Sequence, residues 1–229
     1  MVPVSINGRW TLNLPEHRQT QWAAPWEVER IDSMHRHLTG RDVIYDIGAE
    51  EGDLPALWAS WGCRVAMFEP DPRVWPNIRA CFDANYLTGQ VVGAFVGFAG
   101  TIDRRPHMDR WELATRWPKC STGPIVDDHG FCNLSERPDI PSVRIDTVVK
   151  QIPIPTALTI DVEGAELAVL EGASETLGAF HPTVWVSVHP EFMAAMYGTN
   201  PGQIHDLMES HGYVGTLLAT DHEQHWMFR

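Results

Sequence analysis

Residues 43–52 read VIYDIGAEEG: a short apolar run, Val43-Ile44-Tyr45-Asp46-Ile47, followed by Gly48 and Gly52 flanking Ala49-Glu50-Glu51. A brief buried run that stops at glycine is the pattern of a strand covered on both faces. The segments after it alternate in the same way. Leu54 to Trp61 has helical character and stops at Gly62. Arg64 to Glu69 is a second buried strand, Arg73 to Asn85 a second helix and Gln90 to Ala99 a third strand rich in Val and Phe. After an irregular stretch, order returns with Val143 to Val149 and a buried strand from Ala157 to Val162. A helix from Ala165 to Leu177, a strand from Thr183 to Val188, a helix from Pro201 to His211 and closing strands from Tyr213 complete the order. Strands alternating with helices require right-handed crossovers, so the expected fold is a doubly wound, mostly parallel α/β sheet.

Upstream, Val4 to Leu14 is expected to form a hairpin that turns at Asn7-Gly8. Pro25 suits a helix start, with Trp26, Ile31, Met34 and Leu38 as its apolar stripe and Gly40 at its end. The chain is thus expected to be one domain over 1–229, with an N-terminal hairpin and helix in 1–40. Residues 104–141, which show no clear period, read as an inserted flap. A long irregular stretch in a compact domain is commonly a functional lid, the alternative being a surface insert.

Composition narrows the function. The 229 residues hold 17 Lys plus Arg and 30 Asp plus Glu, a formal charge of −13. That balance argues against nucleic-acid partners, which demand a positive field. No apolar run approaches the roughly 20 residues that span a bilayer, and Met1 to Trp10 lacks the pattern of a signal peptide. A cytoplasmic protein without a membrane partner is the expectation. Cys63, Cys81, Cys120 and Cys132 form no C-x-x-C pair and have no paired His spacing, which argues against a zinc site. Cys63 and Cys81 read as small core residues, and Cys120 and Cys132 as free thiols. Of the ten tryptophans, Trp10, Trp22, Trp26, Trp111 and Trp117 fall outside the strongest core patterns, so some of them are candidates for a binding surface.

Ligands of doubly wound sheets bind beyond the carboxyl ends of the strands. At the first such end, a dinucleotide fingerprint from Gly48 would need glycine where Glu50 and Asp53 stand. A pyrophosphate would also meet Glu50 and Glu51 where a helix N-terminus should receive an anion. S-adenosylmethionine has no phosphate and carries cationic sulfonium and amino groups, so the acidic loop favours it over NAD. The second strand ends at Glu69, about 20 residues beyond the glycine turn, suited to accept from two ribose hydroxyls. Asp71, before Pro72, reads as the cap of the next helix. Asp161 is an acid surrounded by Leu158, Ile160 and Val162 and so needs a partner or a purpose. Glu166 reads as a helix-start acid. His189 closes the following strand at the same sheet edge.

The segments VIYDIGAEEGDLPALWASWGCRVAMFEPDP, SVRIDTVV, LTIDVEGAELAVLEGA and WVSVHPE resemble the FkbM family of S-adenosylmethionine-dependent methyltransferases, over about Trp26 to Tyr213. The resemblance implies a class I, Rossmann-like fold with seven strands, the last antiparallel. It also implies methyl transfer, usually to a hydroxyl oxygen of a small molecule or glycan. Carried over by position, Asp46, Gly48, Glu50, Gly52, Glu69, Pro70 and Asp161 form the cofactor shell. Two positions depart from the family pattern. Glu50 stands where an amide or small residue is usual, and Gly93 to Ala99 lacks an acid to grip adenine, leaving backbone groups or Phe95 to serve.

The expected chemistry is in-line displacement at the sulfonium methyl, accelerated by placement and by a base for the acceptor hydroxyl. His189 is the first candidate base and Asp161 the second. A less favoured variant puts a divalent metal on Asp161, His189 and Glu191. Trp111, Trp117 and His129 of the flap are candidate acceptor contacts. The competing class is a non-catalytic nucleoside-binding module that presents a partner surface, supported by Glu50 and the tryptophan excess.

Overall fold

A computed structural model of the protein describes residues 1–104 and 140–229. Trp111, Trp117, His129, Cys120, Cys132 and most of the expected flap lie outside the described residues.

The chain opens with β1 (Val2–Ile6) and β2 (Trp10–Leu14), paired antiparallel. Asn7 and Gly8 both have positive φ (48 and 68), the mirror-image turn whose twist suits a hairpin, as expected. A four-residue helix, α1 (Arg18–Gln21), was not foreseen. The helix α2 (Val28–His37) begins three residues after Pro25, with Glu27 at its N-cap.

The doubly wound core follows. It contains β3 (Val43–Ile47), α3 (Asp53–Ser60), β4 (Arg64–Glu69), α4 (Trp75–Ala84) and β5 (Val91–Val96). Gly97 interrupts the expected third strand, and β6 (Phe98–Ala99) leaves the main sheet to pair with β7 (Ser142–Val143). Next come α5 (Ile145–Val148), β8 (Ala157–Ile160), α6 (Glu166–Glu171), α7 (Ser174–Phe180) and β9 (Thr183–Val188). A short α8 (Pro190–Phe192) runs into a π-turn over Met193–Tyr197. The chain ends with α9 (Pro201–Ser210), β10 (Gly215–Thr220) and β11 (Gln224–Phe228).

The single helix expected over 165–177 is two. The buried carboxylate of Asp146 accepts the backbone N–H groups of Glu175 and Thr176, at 3.2 and 2.8 Å, and so starts α7 afresh. Asp71 does not cap α4, which begins at Trp75. Its side chain instead accepts the Arg73 N–H and pairs with the Arg73 guanidinium.

The seven-stranded sheet has the order β10-β11-β9-β8-β3-β4-β5, parallel except for β11, which runs antiparallel to both neighbours. β3 lies inside the sheet between β8 and β4, and every one of its residues is buried. Successive strand side chains face opposite sides, so Ile44 joins one core and Val43, Tyr45 and Ile47 the other. The hairpin, α2, α3 and α4 cover the first face, and α6, α7 and α9 cover the second. Cys63 and Cys81 are buried in the first core as free thiols. Among the described residues, no helix is long and apolar enough to cross a membrane.

The parallel strands β3, β4, β5, β8 and β9 end at Ile47, Glu69, Val96, Ile160 and Val188, all on one edge of the sheet. That edge carries the cavity.

Candidate functional site

A cavity of about 760 Å³ opens along this edge, within the size range of small-molecule sites. One wall holds the turn after β3 and the end of β4: Gly48, Glu50, Glu69 and Pro70. The opposite wall holds Asp161, Glu163 and His189 from the ends of β8 and β9. Trp22, Trp26, Phe98 and Tyr197 supply aromatic surface, and Arg18, Glu27, His222 and Glu223 complete the polar lining.

The turn after β3 depends on Gly48. Its φ is 90, and a Cβ added there would lie 1.7 Å from the Asp161 carbonyl oxygen. The glycine therefore lets the β3 and β8 termini touch, drawing the two walls together. Gly52 (φ 88) begins α3 and packs against Ile78, away from the cavity lining. Asp46 also sits below the lining, 4% exposed, accepting from the Trp58 indole at 2.8 Å. Burial pushes its carboxyl up to about 7, against the opposing pull of Arg30. Both residues shape the turn from beneath.

Glu69 faces the cavity with its carboxylate already oriented. Oε2 accepts the Glu50 N–H at 3.0 Å and Oε1 the Asp71 N–H at 2.8 Å. Burial outweighs these two donors and lifts its pKa to about 8. Glu50 itself is ion-paired: Arg18 donates to both of its oxygens, at 3.2 and 3.1 Å, and to Asp53 at 2.7 Å. The loop is thus less anionic than its letters suggest. Arg18 is a site residue that sequence reading missed, because it lies on a short helix far upstream of the strand ends.

Beneath the opposite wall is a second unforeseen cation. Arg30, 2% exposed on α2, donates to Glu27, Asp161, Thr159 and Ser187. Its guanidinium stays charged despite burial because Glu27, Asp161 and Glu223 surround it. Asp161 answers the question its apolar neighbours raised: Oδ2 accepts from Arg30 at 3.1 Å, and burial holds its carboxyl well above the usual range.

His189 corrects the expectation of a neutral-pH base. Its Nδ1 donates to Glu166 Oε1 at 2.7 Å and its Nε2 to Glu223 Oε2, with Glu163 3.3 Å and Asp161 3.7 Å from Nε2. Burial opposes the charge, but the carboxylates prevail and raise its pKa to about 11. An imidazolium with both nitrogens engaged accepts no proton at neutral pH. Glu166 is more than a helix-start acid. Wholly buried, it takes the Gly164 N–H at 2.9 Å and fixes the His189 ring. Glu191 does not join the Asp161–His189 pair; it is exposed on α8 and outside the lining. The group near His189 that could hold a metal is Asp161, Glu163 and His189. Phe95 is likewise turned away, buried in the core against Phe68, whereas Phe98 lines the cavity after the break at Gly97.

Three acids of the lining, Glu27, Glu50 and Glu163, occupy the left-handed region at φ 46, 48 and 53. Each costs a non-glycine residue on the order of 1–2 kcal/mol. Half of the six non-glycine residues with positive φ among the described residues thus lie on the cavity wall.

The sheet order, with its reversed β11 and a cleft at the carboxyl edge, defines a class I, Rossmann-like methyltransferase. A family model described as the methyltransferase FkbM domain matches residues 46–214, and the chain belongs to that family of S-adenosylmethionine-type methyltransferases. The crystal structure of methyltransferase FkbM from Methylobacillus flagellatus KT is similar at TM-score 0.57 and 19% identity, over 84% of this chain and 44% of that one. The chain thus spans less than half the length of that protein. Precorrin-6y C5,15-methyltransferase from Geobacter metallireducens GS-15 is similar at TM-score 0.53 and 11% identity, over 95% of this chain and 92% of that one. The precorrin 8w decarboxylase of Methanobacterium thermoautotrophicum gives TM-score 0.51 at 11% identity, over the same shares. No curated protein gives a significant match.

Proposed function

We propose that this protein uses S-adenosylmethionine to methylate a hydroxyl oxygen of a small-molecule or glycan acceptor. The observation that carries the reading is the two-walled cavity, with the oriented Glu69 carboxylate on one side and the Arg30-held Asp161 on the other. When bound, the cofactor supplies a methyl group activated on a cationic sulfur.

The residues present fit such a ligand. Each Glu69 oxygen accepts one backbone N–H and has a further lone pair for a ribose hydroxyl. Arg18 and Glu50, paired on the same wall, offer both signs of charge to a zwitterionic methionine end. Phe98 supplies the apolar surface for a base that Phe95 was expected to give.

Asp161 takes the proton of the acceptor hydroxyl. Arg30 fixes Oδ2 and leaves the carboxylate, a stronger base than usual, at the cavity wall. His189 serves as a fixed imidazolium that holds Asp161, Glu163 and Glu223 together. The test is release of S-adenosylhomocysteine with a panel of hydroxylated acceptors, wild type against Asp161→Asn. A loss of turnover with cofactor binding retained supports the assignment, whereas equal turnover refutes it. The competing non-catalytic module loses its support at Glu50, whose charge Arg18 counters.

A further inference from the structure

The turn between β10 and β11 carries Asp221-His222-Glu223 and leads into Gln224-His225 at the start of β11; Asp221 and His222 are exposed, whereas Glu223 and His225 are buried. Glu223 is 4% exposed and His225 1%. The two oxygens of Glu223 differ. Oε2 takes the His189 Nε2 proton, whereas Oε1 is buried without a hydrogen-bond partner among the described residues. His225 Nε2 is in the same condition and lies 3.5 Å from that oxygen, which the exposed His222 Nε2 also approaches to 3.4 Å. Two buried polar atoms left unsatisfied and facing each other are costly unless a third group joins them.

The surroundings indicate what that group is. His225 Nδ1 is engaged by Ser187 Oγ at 3.1 Å, and Ser187 is fixed in turn by Arg30. A histidine held at Nδ1 and open at Nε2 is the arrangement of a metal ligand with its supporting shell. Asp221 Oδ2 lies 3.4 Å from the same Nε2. Glu27, itself 7% exposed, brings a carboxylate oxygen within 4.8 Å of the Glu223 and His225 ligand atoms. Gaps of 3.4 and 3.5 Å are long for hydrogen bonds. They are short enough for two such atoms to share one ion about 2.0–2.2 Å from each.

We propose that His225 Nε2 and Glu223 Oε1, completed by the Glu27 carboxylate and with Asp221 Oδ2 beside His225, bind one divalent first-row metal ion of the zinc type. This set is distinct from Asp161, Glu163 and His189, where both imidazole nitrogens already have carboxylate partners. An imidazole set among carboxylates suits borderline to hard divalent ions. Because Glu27 and Glu223 line the cavity, the ion would be reachable from it. It would also offset part of the negative charge gathered there.

The test uses the full chain, freed of metal by chelation and titrated without cofactor. Zn²⁺ is followed by calorimetry and Co²⁺ by visible absorption. The expected result is one equivalent bound, with the intense bands of tetrahedral cobalt. His225→Ala and Glu223→Gln should each weaken binding at least about a hundredfold, Asp221→Asn about tenfold, and exposed Glu191→Gln less than about twofold. Asp221 lies at the hairpin tip, partly exposed, so its variant answers the question if the buried ones fail to fold. Absence of stoichiometric binding, or binding unchanged in Glu223→Gln or Asp221→Asn, overturns the site. These readouts involve no methyl transfer, so they stand or fall independently of the proposed reaction.

Discussion

Arg30 and Asp161, 131 residues apart in the chain, are joined by a hydrogen bond of 3.1 Å beneath the floor of the cavity. The contact ties α2 to the carboxyl end of β8, so the N-terminal segment is part of the site and not an accessory to it. Removing the guanidinium leaves the carboxylates of Glu27 and Asp161 without their common cation. Arg30→Met should therefore cost about 3–5 kcal/mol, measured by urea denaturation. Arg30→Lys should recover only part of that, since a point charge cannot reach four acceptors at once. Equal stability of wild type and Arg30→Met would contradict the account.

Stability should fall as pH rises from weakly acidic to alkaline. Asp46 and Glu69 have folded pKa values of about 7 and about 8, above their unfolded values, so the folded state holds their protons longer. Their contribution is present at low pH and is lost as pH rises toward those values. His189, raised to about 11, adds the same sign from about pH 6.5 upward. Unfolding midpoints measured across pH 5–9 should decline, and Glu69→Gln should flatten the portion below about pH 8. A profile that rises over this range would contradict the burial argument.

The backbone at Gly48 admits one further test. Gly48→Ala places a methyl against the Asp161 carbonyl in a region of positive φ, so a loss of at least about 2 kcal/mol is expected. Differential scanning calorimetry reads this directly, and a stable alanine variant would show that the walls need not meet as described.

The sheet and its site edge were legible in the sequence because short apolar runs ending in glycine or acid mark buried parallel strands. Arg64 to Glu69 and Thr183 to Val188 were placed to the residue. What escaped was the set of cations and the last acid. Arg30 lies among Ile31 and Met34 on a helix, where a charged side chain reads as solvated. Its burial depends on Asp161 and Ser187, which the fold brings from distant strands. Glu223 lies in a tail with no period stronger than that of closing strands. The surroundings of His189 escaped for the same reason: a lone histidine has a pKa suited to neutral pH, and only the fold gathers carboxylates around it. Phe98 takes the place expected of Phe95 because it lies on the opposite face, where the chain leaves the main sheet after Gly97 to pair with β7.

Exchange of the two candidate bases separates their roles. Asp161→Asn should lower turnover about 10²–10⁴-fold with cofactor affinity nearly unchanged. His189→Gln, which removes a fixed positive charge, should shift the pH dependence of turnover to higher pH as the freed carboxylates become harder to ionise. A steady-state pH profile of both variants distinguishes them. Loss of the acidic limb, the rise of turnover with pH, in His189→Gln alone would restore histidine as the base.

Calorimetric titration of wild type and Glu69→Ala with S-adenosylmethionine and S-adenosylhomocysteine addresses the central claim most directly. The account predicts one molecule of either ligand per chain, with affinity reduced about 10–100-fold in the variant through loss of the hydrogen bonds that Glu69 offers. No binding to wild type, or equal affinity with alanine at position 69, would contradict it.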